Sequence, residues 1–308
     1  MKKFLSCDWG TSSFRLRLVD PDTGKVHAEL LTDDGIAITH QRWLATGKPA
    51  SGRISFYRDI IKNSLNQLPG AMENSLPVIC SGMASASIGM IELPYQEFPF
   101  SWKTSQIGVR KIPGDTGFPN DIFIVSGFRT GDDIMRGEET LLLGAGVEEP
   151  ADHLFIFPGT HSKHVFVRNR IAVSFRTYMT GEFFNLLSEK SILQNVVRKG
   201  MDEISFEEGF RAGLQDNILH AAFQVRTRHL LAEKEPVSNY QYLSGLLIGT
   251  ELRELKGHGY PVYLVSNSDL AHAYRNGFAL MDDHRAVHYL PEDEMLVRGH
   301  CKIAELYL

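Results

Sequence analysis

Two stretches of the chain, FLSCDWGTSSFRLRLVD near the start and HLFIFPGTHSKHVFVRN near the middle, repeat one grammar. Each has an apolar strand, a tip containing Gly-Thr, and a returning strand. In the first, Phe14, Leu16 and Leu18 alternate with Arg15, Arg17 and Val19, Pro21-Asp22-Thr23-Gly24 supplies a turn, and Val26, Ala28 and Leu30 resume the alternation. In the second, Leu154 to Phe157 reads as the apolar strand, His164 to Val167 as the returning strand, and Arg168-Asn169-Arg170 as the turn into a third. Gly10 and Gly159 lie 149 positions apart, close to half of the 308 residues. A meander run twice at that spacing predicts an α/β protein of duplicated halves facing each other across a cleft.

Composition agrees with two domains of similar size, because 43% hydrophobic residues over this length fill more than one core. The 32 basic and 37 acidic residues give a net charge of −5 with no basic block, which argues against nucleic acid and for a small-molecule partner. Lys2 and Lys3 imitate a signal-peptide start, but the apolar run breaks at Asp8 and no later segment approaches a membrane span. The expectation is a cytoplasmic protein with no membrane partner, and a homo-oligomer is left open. Cys7, Cys80 and Cys301 are far apart without a CxxC pair, so buried reduced thiols are expected rather than disulfides or a zinc site.

The loop composition has a chemical reading. Polyphosphate calls for backbone N–H groups that approach closely, hence glycine, with hydroxyls as further donors and Mg²⁺ to balance charge. Asp8 then reads as the Mg²⁺ anchor, with Gly10, Thr11, Ser12 and Ser13 cradling phosphate. An ordinary hairpin turn with an Asx-type acid is the competing reading. Pro158-Gly159-Thr160-His161-Ser162-Lys163 adds hydroxyls and a cation at the matching place of the second meander. Neither a Walker A sequence nor a G-x-G-x-x-G after a strand is present.

These paired loops resemble those of the actin–hexokinase–Hsp70 superfamily, in which two ribonuclease-H-like domains close on ATP. Within it, MRGEETLLLGAG (135–146), FPGTHSKHV (157–165), FRTYMTGEFFNLL (175–187) and YLSGLLIGTE (242–251) resemble the 2-dehydro-3-deoxygalactonokinases, in the family's order. The likeness runs from about Lys3 to about Leu306. It implies an ATP-dependent sugar-acid kinase, acting on the C6 hydroxyl of 2-dehydro-3-deoxy-D-galactonate in galactonate degradation. A kinase for another 2-keto-3-deoxy sugar acid, a nucleotide-binding regulator and a polyphosphate-type hydrolase on the same scaffold are the alternatives.

Residue roles divide accordingly. A helix is expected from about Asp132, with Asp132 and Asp133 as capping acids and Glu138 and Glu139 a turn inside. The superfamily places a proton-accepting carboxylate near a helix start, so Glu138 or Glu139 is the base candidate, Glu138 favoured. Lys163 is placed to meet the transferring phosphoryl group, or is a solvated strand-end lysine. His161 belongs with the phosphate loop, and a metal role for His161 and His164 is disfavoured because alternate strand positions point apart. Arg136 and Arg176 are candidates to clamp the substrate carboxylate, whereas Arg15 and Arg17 are expected to cover a sheet face. Thr180, Gly181 and Glu182 either open a helix or hold sugar hydroxyls. Ser238 reads as a helix N-cap; Gly245 and Gly249 share a face that admits either another helix or the adenine ring. Asn267 stands where the family has a glycine-containing turn beside the adenosine, and a left-handed conformation there would preserve the turn. The tail from Pro291 reads as a helix closing back on the first domain. The domains are expected at 1–130 and 131–308, with Ser126 to Gly131 as the hinge.

Overall fold

The structure, a computed structural model, describes residues 3–71, 75–102, 107–146, 151–281 and 285–308; Lys2 lies outside them. The alternation of the first segment becomes β1 (Phe4–Trp9), β2 (Phe14–Val19) and β3 (Val26–Thr32), followed by α1 (Ile36–Ala45), α2 (Arg53–Leu65) and β4 (Val78–Gly82). Next come β5 (Gln96–Glu97), β6 (Phe100–Ser101), β7 (Val109–Ile112), β8 (Ile122–Val125), β9 (Phe128–Arg129), β10 (Ile134–Met135) and α3 (Glu138–Ala145). The second meander is β11 (His153–Phe157), β12 (Ser162–Arg168) and β13 (Ile171–Tyr178), leading to α4 (Thr180–Asn185), α5 (Glu203–Gln215), α6 (Ile218–Ala232) and α7 (Pro236–Leu252). The chain ends with β14 (Val262–Ser266), α8 (Ser268–Leu280), β15 (Val287–Pro291) and α9 (Glu292–Tyr307).

Two compact units emerge. Unit 1 comprises Met1–Pro150, Asn169–Ser174 and Glu292–Leu308; unit 2 comprises Ala151–Arg168 and Phe175–Pro291. The division therefore falls later than the expected boundary at residues 130 and 131. The reason is α3, which packs so closely on α9 that a Cβ on Gly144 would lie 1.8 Å from the Met295 carbonyl oxygen. The expected hinge is also inside unit 1, where Phe128 is fully buried and β9 pairs with both β5 and β10. The helix expected from Asp132 begins instead at Glu138, after Gly137 at φ 109°. Asp132 belongs to the preceding turn, where its Oδ1 accepts a hydrogen bond from Thr130 Oγ1 at 3.1 Å.

The unit 1 sheet has the order β3-β2-β1-β4-β8-β7, with β1–β4 and β4–β8 parallel and the other pairs antiparallel. Period-two alternation splits β1. Leu5, Cys7 and Trp9 join a core with Ile36 and Trp43 of α1 and Tyr57 and Ile61 of α2. Ser6 bonds to α9, since His300 Nδ1 lies 2.7 Å from Ser6 Oγ and its Nε2 lies 3.0 Å from Ser81 Oγ. His300 thus ties α9 to both central strands.

Unit 2 repeats the scheme: β11–β12 is antiparallel, while β11–β14 and β14–β15 are parallel. Leu154 and Ile156 pack with Phe206 and Phe210 of α5, Ile248 and Leu252 of α7, and Tyr274 of α8. A Cβ on Gly245 would lie 2.1 Å from the Phe206 carbonyl oxygen, and one on Gly249 would lie 2.3 Å from that of Phe210. Both glycines therefore serve the contact of α7 with α5, and the adenine alternative gives way to helix packing. Asn267 is extended (φ −72°, ψ 170°) rather than left-handed, because it N-caps α8, accepting from Leu270 N at 3.2 Å. Ser238 is not the expected cap; α7 starts at Pro236, and Ser238 Oγ donates to Asp202 Oδ2 at 2.6 Å. Among the described residues no helix is long and apolar enough to cross a membrane.

Burial, with the nearby Arg17 charge, pushes the His300 pKa down from 6.5 to about 3. The unfolded chain takes up this proton below pH 6.5 while the folded protein refuses it, so stability is lost as pH falls. This residue alone should cost about 2 kcal/mol between roughly pH 6.5 and pH 5. Denaturant titrations of the wild type and His300→Asn at both pH values check this; equal pH slopes in the two proteins would contradict it.

Candidate active site

The first Gly-Thr tip rests on the start of α1. Gly10 N donates to Ser13 O at 2.9 Å, Ile36 N to Gly10 O at 2.9 Å, and Ala37 N to Thr11 O at 3.1 Å. Thr11, Ser12 and Ser13 remain exposed. Just before the tip, Asp8 pairs in register with Arg15 on β2 and Ser81 on β4. Burial raises the Asp8 pKa; Arg17 and Arg15 oppose that rise and Asp293 adds to it, with a net upward shift.

Arg17 is 1% exposed and does not simply cover a sheet face. Its Nε donates to Glu29 Oε2 at 2.5 Å and its Nη2 to Asp293 Oδ1 at 2.6 Å, while Arg15 bonds to the same Asp293 oxygen. A buried guanidinium needs such acceptors to offset its lost hydration. The first turn of α9 also carries Glu292, whose carboxyl burial and the charges of Asp8 and Asp293 push up to about 7. Sequence reasoning missed Glu292 because an acidic run after proline reads as helix capping.

The end of β4 and the start of α3 converge on the same place. A Cβ on Gly82, at φ 82°, would lie 2.8 Å from Trp9 O and 3.6 Å from Asp8 Oδ1, and one on Gly137 would lie 3.6 Å from Gly82 Cα. Glu138 and Glu139 occupy the first turn of α3, not a turn inside it. Glu139 is buried, with Oε2 accepting from Gly137 N at 2.7 Å and Oε1 from Thr140 Oγ1 at 3.1 Å. Burial, then the neighbouring Glu138 charge, raises its pKa to about 7. Glu138 is half-buried and accepts from Arg136 N at 3.0 Å. The Arg136 guanidinium sits 4.3 Å from the centre of the Tyr95 ring, and its Nη1 donates to Ser85 O at 2.8 Å and to Ser85 Oγ.

In unit 2, the second Gly-Thr tip leans on α4 as the first does on α1. Glu182 N donates to Thr160 O at 3.0 Å, and a Cβ on Gly181 would lie 2.5 Å from Gly159 O. His161 Nε2 and Glu182 Oε2 are 2.5 Å apart. Thr180, Gly181 and Glu182 therefore gather around the Gly159 tip. Lys163 is only 5% exposed, with Nζ donating to His161 O at 2.9 Å, so it is not a solvated strand-end lysine. Arg176 is exposed and its Nη1 donates to Glu254 Oε2 at 2.5 Å.

Behind the tip lies Glu251, 2% exposed and unforeseen from sequence. Its Oε1 accepts from Ser162 Oγ at 2.7 Å and His164 Nε2 at 2.8 Å; its Oε2 accepts from Tyr274 OH at 2.6 Å and from Thr180 Oγ1. Burial alone would raise its pKa, but His164 by hydrogen bond and charge, with the Thr180 and Tyr274 hydroxyls, holds it below the usual carboxylate value. Among the described residues no three His, Cys, Asp or Glu side chains group as a metal site.

Against known proteins, the profile of the 2-keto-3-deoxy-galactonokinase family matches residues 8–303, taking in both Gly-Thr tips and the start of α3. The chain belongs to the 2-keto-3-deoxy-galactonokinase family. It is accordingly a kinase, which sets aside the regulator and hydrolase alternatives. This galactonokinase-family chain is 34% identical over 220 residues to the 2-dehydro-3-deoxygalactonokinase of Escherichia coli, covering 68% of this chain and 72% of that one. It is 33% identical over 289 residues to a probable 2-dehydro-3-deoxygalactonokinase of Rhizobium meliloti, covering 88% and 87%. The crystal structure of a putative 2-dehydro-3-deoxygalactonokinase from Sinorhizobium meliloti matches with a TM-score of 0.85 at 29% identity, over 99% of this chain and 96% of that one. The α/β fold expected from the paired loops is the fold of this kinase, in two compact units.

The convergence at Gly82 gives a sharp test. Gly82→Ala would strain a left-handed position and push on Trp9 and Asp8. Kinase turnover should fall at least about tenfold with circular dichroism unchanged; wild-type turnover in the folded variant would contradict the placement.

Proposed function

We propose that this kinase transfers the terminal phosphoryl group of ATP to the C6 hydroxyl of 2-dehydro-3-deoxy-D-galactonate, a step of galactonate breakdown. The family and the named relatives support the reaction class. The observation that carries the substrate class is Arg136. A guanidinium tethered at Nη1 by Ser85 and set 4.3 Å from the centre of the Tyr95 ring is held at two places, and its fork suits the two oxygens of a carboxylate. Arg176 is the weaker candidate, since it is exposed and engaged with Glu254.

Glu138 is the proposed base. It lies two residues from the clamp, is half-buried, and takes the hydroxyl proton on a carboxylate oxygen as attack begins. Both oxygens of Glu139 are engaged at the start of α3, so Glu139 supports the helix instead. The tips at Gly10–Ser13 and Gly159–His161 are the proposed phosphate-binding elements. Lys163 braces the second tip through the His161 carbonyl.

Asp8 and Glu292 suit Mg²⁺, which takes one or two carboxylates together with phosphate oxygens and water rather than a full protein cage. Bound there, Mg²⁺ would neutralise phosphate charge. The chain's own task is then to orient nucleotide and acid and to accept one proton.

A coupled assay of ADP release over a panel of 2-keto-3-deoxy sugar acids should give the highest kcat/KM with 2-dehydro-3-deoxy-D-galactonate, and product NMR should place phosphate on C6. ADP release indifferent to the sugar acid would refute the proposal. Glu138→Gln and Asp8→Asn should each lower kcat at least about a hundredfold in folded protein. Arg136→Lys should raise the sugar-acid KM at least about tenfold more than the ATP KM, because a point charge cannot form the fork; equal increases would count against the clamp.

A further inference from the structure

The Gly159 tip is a short connection between β11 and β12, and its shape depends on what holds its two flanks. One flank is its exit strand, where Ser162 Oγ donates to Glu251 Oε1 at 2.7 Å and His164 Nε2 donates to the same oxygen at 2.8 Å. The other flank is α4, which meets the tip backbone to backbone through Glu182 N and Thr160 O at 3.0 Å. The first residue of α4, Thr180, donates to Glu251 Oε2, and Tyr274 OH reaches that oxygen at 2.6 Å from α8. One buried carboxylate therefore takes two donors on each oxygen and binds both flanks of the loop at once.

We infer that Glu251 is a positioning residue of this kinase, holding the Gly159–His161 tip in the shape that receives nucleotide phosphate. It touches neither nucleotide nor sugar acid and acts through Ser162, His164 and Thr180. The inference rests on the proposed phosphate role of the tip. A simple fold-stabilising carboxylate would protect the melting temperature and leave the affinity of folded protein for ATP alone.

The experiment compares wild type, Glu251→Gln and Tyr274→Phe in full-length protein. It measures melting temperature, ATP binding by calorimetry without sugar acid, and KM for each substrate. An amide at Glu251 sets a donor against two donors on one side, so Glu251→Gln should weaken ATP binding at least about tenfold and raise the ATP KM alike. The sugar-acid KM should stay within about twofold. Tyr274→Phe removes one of the four donors and should give the same pattern at about threefold; it decides the matter if Glu251→Gln does not fold. A lowered melting temperature with wild-type ATP affinity in either folded variant overturns the inference, as does a rise in both KM values together. Thr160→Val separates this from the underlying reading. If Thr160→Val weakens ATP binding and the Glu251 and Tyr274 variants do not, the tip binds phosphate and Glu251 does not position it. If Thr160→Val also leaves binding untouched, the phosphate role of the tip fails first.

Discussion

Arg17 sits at 1% exposure on β2, and a guanidinium that deep is tolerable only with acceptors fixed around it. Glu29 on β3 and Asp293 on α9 provide them, which commits the last helix of the chain to the sheet built by the first strands. That commitment has consequences along β1. It sets the first turn of α9 beside Asp8, adds Glu292 to the neighbourhood, and lets His300, two turns further on, bond to Ser6 and Ser81. Only the guanidinium is buried, with Glu29 and Asp293 at the surface, and the arrangement specifies the helix position as well as the local charge.

Unit 2 solves the same problem with the opposite charge. Glu251 is 2% exposed, close to Arg17 at 1%, and it is met by the strand that returns from the second Gly-Thr tip, whereas Arg17 lies on the strand that returns from the first. In both units the tip leans on the first turn of a following helix, α1 in one and α4 in the other. The halves diverge at the strand end. Position 157, which stands 149 after Asp8, is Phe, so the second meander has no carboxylate at the matching strand end. Asp8, Glu138 and Glu292 thus belong to unit 1, while the second tip has His161, Lys163 and Glu182 about its hydroxyls.

The duplicated meander and its Gly-Thr tips were legible from residue order, because strand alternation and turn chemistry are local properties. The closing helix was legible for the same reason. Local signals also misled. Asp132 and Asp133 look like capping acids, yet Gly137 at φ 109° starts α3 six residues late by that reckoning. Asn267 can supply a left-handed turn by its residue type, yet here the same side chain caps a helix from extended backbone. Gly245 and Gly249 left two readings open until α5 was seen with its carbonyls 2.1 and 2.3 Å from where their Cβ atoms would be.

The sequence by itself determined the α/β class, the repeated strand–loop–strand unit and the chemistry its tips can offer, since these follow from side-chain period, glycine and hydroxyl content over a few residues. Only the tertiary structure decided which charges are buried and by whom they are met. Asp293 reaches Arg17 across 276 residues, and Glu251 reaches Ser162 across 89. It likewise decided that residues 131–146 fold with the first unit, and that Arg136 lies over the Tyr95 ring while Arg176 stays exposed against Glu254. The physical reason is that desolvation is set by everything packed around a group, and neighbours brought in from distant parts of the chain leave no mark on the local pattern.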